Sequence, residues 1–207
     1  MEIIKQSPKI IDKVSEFLKN GGVVICPTDT VYGFLAYARN KKAVERIYKI
    51  KKRPGSKPLS VFVKDLKMAK ELAEISKEQA KILTLRFRSG QAKFWPGKYT
   101  FILKRKKFPE VRPRGVLRLY GVAKDTIAIR IPKYKFLNDL LKKINRPLVQ
   151  TSVNISGQEP FKSINAILTT FGKSRLLGLI IEGGSANNAK PSKIIDLTGN
   201  KIKILRK

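Results

Sequence analysis

The sequence contains no histidine and a single cysteine, and its 15 acidic residues face 45 lysines and arginines. Each scarcity closes off a chemistry. Without imidazole there is no Ser-His-Asp or Cys-His catalytic arrangement, no histidine zinc site and no histidine pH switch. Cys26 has no partner for an internal disulfide and sits in the apolar run Val23-Val24-Ile25, so it reads as a small core residue in a reducing compartment. The few carboxylates form no cluster that would cage a metal ion. No apolar run is long enough to span a bilayer, and Met1 to Gln6 leads into no apolar leader. A soluble, cytoplasmic protein without membrane contact is the expectation.

What the chain does have is core-forming sequence and positive charge. With 42% hydrophobic and 8% aromatic residues it is a folded chain. Apolar segments recur throughout with no repeat, low-complexity block or Ser/Gly linker, which predicts one domain over residues 1–207. The net charge of +30 suggests phosphate-bearing partners such as RNA or a nucleotide. Solvated lysine on helix faces produces the same excess without binding anything. Two stretches exceed that background. One is 41–57, with Lys41, Lys42, Arg46, Lys49, Lys51, Lys52, Arg53 and Lys57 against Glu45; the other is 93–118, where Glu110 is the only acid.

Periodicity predicts alternating helices and strands. Ile10, Ile11, Val14, Phe17 and Leu18 fall at helical spacing before the stop Asn20-Gly21-Gly22, and Val23–Cys26 follows as a strand. Pro27 ends that strand and opens a loop through Gly33, which we expect at a strand's carboxyl end, where open α/β sheets place their sites. Ala43–Ile50 reads as a helix broken by Pro54-Gly55, and Leu59–Val63 as a strand. Helices follow at Leu66–Ala73 and Lys77–Phe87, then a Trp95-Pro96-Gly97 turn, a strand Tyr99–Leu103 and a charged loop Lys104–Gly115. Thr126–Ile131, Leu148–Thr151, Leu179–Ile181, Ile194–Leu197 and Ile202–Leu205 read as strands, with Phe136–Ile144 and Ile164–Phe171 as helices. The interleaving predicts a mixed α/β fold, a twisted open sheet flanked by helices.

An enzyme built from these residues must work by positioning and by stabilising negative charge, which is what phosphoryl or nucleotidyl transfer requires. Arg53, Lys57 and Arg130 are the candidate cations, and Ser152 and Asn154 the candidate polar contacts after a strand. Singly they are weak signals, because an arginine at a strand end is commonly an ion-pair partner and a Ser or Asn after a strand is commonly a cap.

Taken in chain order the motifs say more. Pro27-Thr28-Asp29-Thr30-Val31-Tyr32-Gly33, Lys51-Lys52-Arg53-Pro54 with Lys57-Pro58-Leu59, Trp95-Pro96-Gly97 with Thr100, Arg130-Ile131-Pro132, and Ser152-Val153-Asn154-Ile155-Ser156-Gly157 resemble the YrdC-like threonylcarbamoyl-AMP synthase family over about Ile10–Arg206. No GxxxxGK[ST] loop is present. The resemblance implies a twisted mixed α/β sheet with a basic concave cavity. It also implies synthesis of threonylcarbamoyl-adenylate and pyrophosphate from L-threonine, bicarbonate and ATP, the group then passing to tRNA through downstream tRNA-modification proteins.

Carried over by position, Thr30, Arg130, Ser152 and Ser192 correspond to the threonine-binding set. Arg53, Lys57, Thr126, Asn154, Ser163 and Arg206 correspond to the ATP-binding set. Lys51, Arg53 and Lys57 are the expected catalytic cations, and Mg²⁺ is expected on the triphosphate, held mainly by phosphate oxygens. Many relatives carry a histidine where this chain has Phe62, which reads here as a strand core residue. The resemblance is to the short form of the family, and a chain without the further C-terminal domain of long members is the expectation. Two other readings stay open: a basic RNA-binding module on the same fold without synthase activity, and a sibling enzyme using another carbamoyl or adenylate substrate.

Overall fold

The computed structural model describes residues 1–84, 94–107, 118–183, 189–199 and 201–206. Its described strands form a ten-stranded mixed sheet, β1 (Glu2–Lys5), β2 (Val23–Cys26), β3 (Gly33–Tyr37), β4 (Ser60–Phe62), β5 (Tyr99–Lys104), β6 (Thr126–Arg130), β7 (Leu148–Ser152), β8 (Leu179–Glu182), β9 (Lys193–Asp196) and β10 (Lys203–Arg206). Across the sheet they run β1-β8-β2-β3-β7-β4-β6-β5-β9-β10. The predicted mixed α/β architecture is therefore the observed one. The helices are α1 (Ile11–Lys19), α2 (Lys41–Lys51), α3 (Leu66–Leu72), α4 (Lys77–Thr84), α5 (Lys135–Ile144) and α6 (Ile164–Phe171). The predicted ends of the fourth helix beyond Thr84 and of the charged loop beyond Lys107 lie outside the described residues.

Two strands escape the periodicity reading. β1 is an edge strand paired only with β8 and exposed over most of its length, so it carries no apolar alternation. β3 starts at Gly33, directly after the loop, and is buried along almost all of its length, so it shows no half-buried alternation either. The Pro27–Gly33 loop follows the carboxyl end of β2, as expected, and leads directly into β3. β2 and β3 pair antiparallel, Cys26 opposite Gly33, so the loop closes a hairpin rather than a crossover from the end of a parallel strand.

The two faces of the sheet are packed differently, and this creates the site. On one face Phe34, Ala36, Val61, Ile127, Ile129 and Val149 pack with α2, α3 and α6 into the larger core cluster. On the other face Val24, Cys26, Leu35, Phe62 and Leu148 are covered by α1 and α5, whose Phe136, Leu137, Leu140, Leu141 and Ile144 are all buried. Burying each such side chain contributes roughly 1.5–3 kcal/mol, which is what seats α5 on this face. Pairing register puts Ser60 beside Gln150, Phe62 beside Arg130, Ile102 beside Ala128 and Thr100 beside Ile194, all on that second face. Past Phe62 no described helix covers it, and the strands turn polar.

α2 ends without glycine. Lys52 takes the left-handed conformation (φ 49°), and the Arg53 amide donates back to the Tyr48 carbonyl at 2.9 Å. This reversal carries the chain from the end of α2 on one face to Arg53 on the other.

Candidate active site

The cavity on the open face encloses about 260 Å³. Its floor is formed by β4, β6 and β7 (Ser60, Ala128, Gln150, Ser152), and Thr30, Arg53, Arg130, Ser192 and Arg206 complete the lining. Among the described residues three guanidinium groups line it and no carboxylate does.

Arg130 is 1% exposed and fixed on every side. Its Nε donates to the Gly97 carbonyl at 3.0 Å, one terminal nitrogen to Thr30 Oγ1 at 2.9 Å, and the other to Asp29 Oδ1 at 2.5 Å. Its guanidinium carbon lies 5.6 Å from the centre of the Phe62 ring. Burial pulls its pKa down and Asp29 opposes that shift, so the side chain is held as a cation with two N–H groups left over for a ligand. The Trp-Pro-Gly turn has a definite role in this: Trp95 Nε1 donates to the Tyr99 carbonyl and the Gly97 amide to Ile131, which presents the Gly97 carbonyl to Arg130.

Thr30 is oriented by its own loop. The Thr28 hydroxyl donates to the Val31 carbonyl at 2.8 Å, so its single proton is used. The 3.0 Å contact between the two threonine oxygens is then a bond from Thr30 to Thr28. Thr30 Oγ1, already accepting from Arg130, keeps only acceptor capacity, which suits a cationic or amine donor. Asp29 is the residue that motif reading missed. It accepts from Arg130 and from the Lys133 amide at 3.0 Å, locking the loop to the end of β6. Its signal was available: it is the one acid in a loop otherwise free of charge.

At the opposite wall, Arg206 donates through Nε to the Ser192 carbonyl (2.7 Å) and through a terminal nitrogen to Ser192 Oγ (3.1 Å), and Ser192 Oγ lies 2.9 Å from Thr100 Oγ1. Burial and then the charge of Arg130 lower the Arg206 pKa. Arg53 donates to the Lys57 carbonyl at 3.0 Å and the Pro58 carbonyl at 2.8 Å. Neither Arg53 nor Arg206 has a carboxylate partner among the described residues.

The remaining sequence candidates occupy other places. Lys51 is 1% exposed and does not line the cavity. Its Nζ donates to the Ser152 carbonyl (2.5 Å), the Asn154 carbonyl (3.0 Å) and Asn154 Oδ1 (2.7 Å), and stands over the Phe34 ring. Asn154 also accepts from Ser152 Oγ at 2.7 Å and donates to the Ile155 and Gln158 carbonyls, so its amide is spent inside the chain. Lys51 and Asn154 together shape the segment that presents Ser152. Ser163 caps α6, accepting from the Ala166 amide at 3.2 Å. Lys57 is exposed, and its carbonyl, rather than its ammonium, meets Arg53. Thr126 is on the same face of β6 as Ala128 and Arg130, at the outer end of the floor. Phe62 has no exposed surface.

Burial, with a smaller contribution from Arg53, pushes the Lys51 pKa down from 10.5 to about 7. A cation whose folded pKa lies below its unfolded value leaves the folded chain with fewer protons between those two pH values, so stability rises with pH there. Between pH 7 and 10, wild type is expected to gain up to about 1.4 kcal/mol per pH unit from this residue. Lys51→Met removes that slope and takes a donor from three acceptors, of which Asn154 Oδ1 keeps Ser152 Oγ, lowering stability at neutral pH by about 2–4 kcal/mol. Urea unfolding at pH 7.5 and 9.5 measures both effects.

The donor set does not suit a protein-held metal. Asp29, bonded to the lining residue Arg130, has both of its oxygens engaged. Among the described residues no group of carboxylates or thiols comes together to bind an ion, so a Mg²⁺ arriving with a nucleotide would find its ligands on the phosphates.

Fold and cavity thus define a mixed α/β architecture with a cavity lined by three arginines, one of them held by Asp29 and Thr30. The Sua5/YciO/YrdC family, described as telomere recombination, matches residues 16–207, and the chain belongs to it. A putative threonylcarbamoyl-AMP synthase of Methanocaldococcus jannaschii is 38% identical over 199 residues, covering 94% of this chain and 85% of the relative. The threonylcarbamoyl-AMP synthase of Pyrococcus abyssi is 34% identical over 183 residues, 88% of this chain and 49% of the relative. This chain therefore spans about half the length of the P. abyssi protein. The structure of P. abyssi Sua5 complexed with L-threonine superposes with a TM-score of 0.80 at 31% identity, covering 100% of this chain and 57% of that one. Escherichia coli YciO superposes at 0.78 with 26% identity, covering 99% and 92%. Among the described residues no helix is long and apolar enough to cross a membrane.

Proposed function

We propose that this chain is an L-threonylcarbamoyladenylate synthase, joining L-threonine, bicarbonate and ATP into threonylcarbamoyl-AMP, pyrophosphate and water. The observation that carries the reading is the cavity of three guanidiniums without a carboxylate, one of them anchored beside Thr30. The named relatives support it. In this reading the free N–H groups of Arg130 take the threonine carboxylate as a charge-assisted pair, and the acceptor Thr30 Oγ1 faces the amine. Ser152 and Ser192 flank the same substrate.

The amine and bicarbonate give a carbamate with loss of water. A carbamate oxygen then bonds to the α-phosphorus as the bond to the pyrophosphate oxygen breaks. No protein nucleophile or proton shuttle is needed, which fits a chain without histidine. Arg53 and Arg206, lacking carboxylate partners, stabilise the charge that builds on the departing pyrophosphate, with Lys57 at the rim as a third cation. Thr126 at the outer end of the floor suits the nucleoside. Lys51, Asn154 and Ser163 act as positioning residues through the segment 152–163. The adenylate serves threonylcarbamoyladenosine formation on tRNA, with tRNA and downstream tRNA-modification proteins as the later partners, in the cytoplasm.

Product analysis tests the reading. Purified protein incubated with [¹⁴C]bicarbonate, L-threonine and ATP is expected to yield one labelled adenylate on rapid chromatography. Adenylate formed without label, or with another amino acid in preference to threonine, would point to the sibling activity instead.

A further inference from the structure

A second and larger cleft, about 640 Å³, lies on the other side of the sheet from the catalytic cavity, between α2 and residues 120–124. Its walls are Val44, Tyr48, Pro58, Tyr120 and Val122, and Lys41, Lys49 and Lys124 stand at its mouth. Glu45, the one acid among its described lining residues, faces Lys41 at 3.7 Å. The two cavities share only Pro58 among their lining residues. The strap between them is held from both sides at one atom: the Lys57 carbonyl accepts from Arg53 Nε at 3.0 Å on the catalytic side and from the Tyr48 hydroxyl at 3.1 Å on the other. The Tyr48 hydroxyl also stands 3.3 Å from the Gly121 carbonyl, tying both walls of the cleft together. The cleft is thus a preformed space with its own walls.

Its chemistry is that of a flat ring carrying negative charge. Volume and apolar aromatic lining are those of small-molecule sites. One face of Tyr120 is already covered by Arg118, whose guanidinium carbon is 5.1 Å from the ring centre, which stiffens the ring as a stacking wall. Lys41 and Lys49 are two turns apart on α2, about 12 Å along the helix axis, too far to meet at one phosphate. We propose that this cleft binds a nucleotide, its base against Tyr48 and Tyr120 and its phosphates at Lys49 and Lys124. The source is a free nucleotide or one residue of a single-stranded RNA, since both present the same base and phosphate, and aromatic walls beside lysines are the usual means of holding either.

Photolabelling with 8-azido-AMP followed by peptide mapping tests this. Labelling of the catalytic cavity serves as an internal control, so failure of the synthase reading and failure of this one are separately visible. The expected result is a second labelled peptide containing Tyr48 or Tyr120–Lys124, reduced at least about fivefold in the Lys49→Glu, Lys124→Glu double variant while cavity labelling is unchanged. Both lysines are exposed, so the variant retains its fold. Competition identifies the source: AMP displaces the cleft label if the ligand is a free nucleotide, and an oligo(A) hexaribonucleotide displaces it at far lower concentration if the ligand is a strand. In the second case affinity falls with salt, with a log–log slope that is shallower in the double variant. Label confined to the catalytic cavity, or cleft label insensitive to both charge reversals, would overturn the proposal.

Discussion

Replacing Arg130 with alanine is expected to produce the largest combined loss of stability and activity. The guanidinium is the sole ion-pair partner of Asp29 among the described residues, and both side chains are almost fully buried. Removing it strands a buried carboxylate, which costs about 3–5 kcal/mol. Gly97 and Thr30 lose their donor at the same time. Arg130→Lys is the informative companion. It keeps the charge near Asp29 but cannot contact Asp29, Thr30, Gly97 and a carboxylate at once. This variant should fold, and its half-saturating threonine concentration should rise at least about tenfold, the equivalent of one charge-assisted contact. Chemical denaturation separates the stability loss from the threonine effect. A fully active Arg130→Lys enzyme with unchanged threonine dependence would remove Arg130 from the substrate site.

Arg53→Ala should behave oppositely, abolishing turnover in a folded protein. Its guanidinium bonds two backbone carbonyls on an exposed strap, so truncation costs about 1 kcal/mol of stability. Its proposed role is to meet charge that appears only as pyrophosphate departs, and losing one such donor lowers turnover by about 10²–10³-fold. Threonine affinity should be little changed. Near-wild-type turnover in Arg53→Ala would leave the phosphates to Arg206 and Lys57 and refute this division of labour.

The chain order of motifs carried the family and the fold class because those motifs are the turns and strand ends that surround the cavity. Thr30 and Val31 of the first loop, Arg53 and Ser152 line it, and the Trp-Pro-Gly turn holds the lining residue Arg130 through the Gly97 carbonyl. The sequence could not separate the three cations of the Lys51–Lys57 stretch. Their fates depend on the left-handed turn at Lys52, which keeps Lys51 buried behind β7 and sends Arg53 across to the open face. A similar limit applies to Asn154 and Ser163. Amides and hydroxyls that satisfy backbone groups have the same composition as those that meet substrate, and only the bonds to Lys51, Gln158 and Ala166 show how these two are used. Asp29 takes its role from Arg130, 101 residues away in the chain, a pairing that local sequence does not show.

Charge divides in the same way. Most of the +30 is dispersed, whereas Arg53, Arg130 and Arg206 converge on one cavity whose described lining holds no acid, and Asp29 is committed to Arg130. The absence of histidine is consistent with a reaction that moves no proton through the protein.

Pyrophosphate release from ATP, followed with each substrate omitted in turn, tests the central claim most directly. The account predicts release only when ATP, L-threonine and bicarbonate are all present, and none when threonine is omitted. Release that continues unchanged without threonine, or no release with all three present, would contradict it.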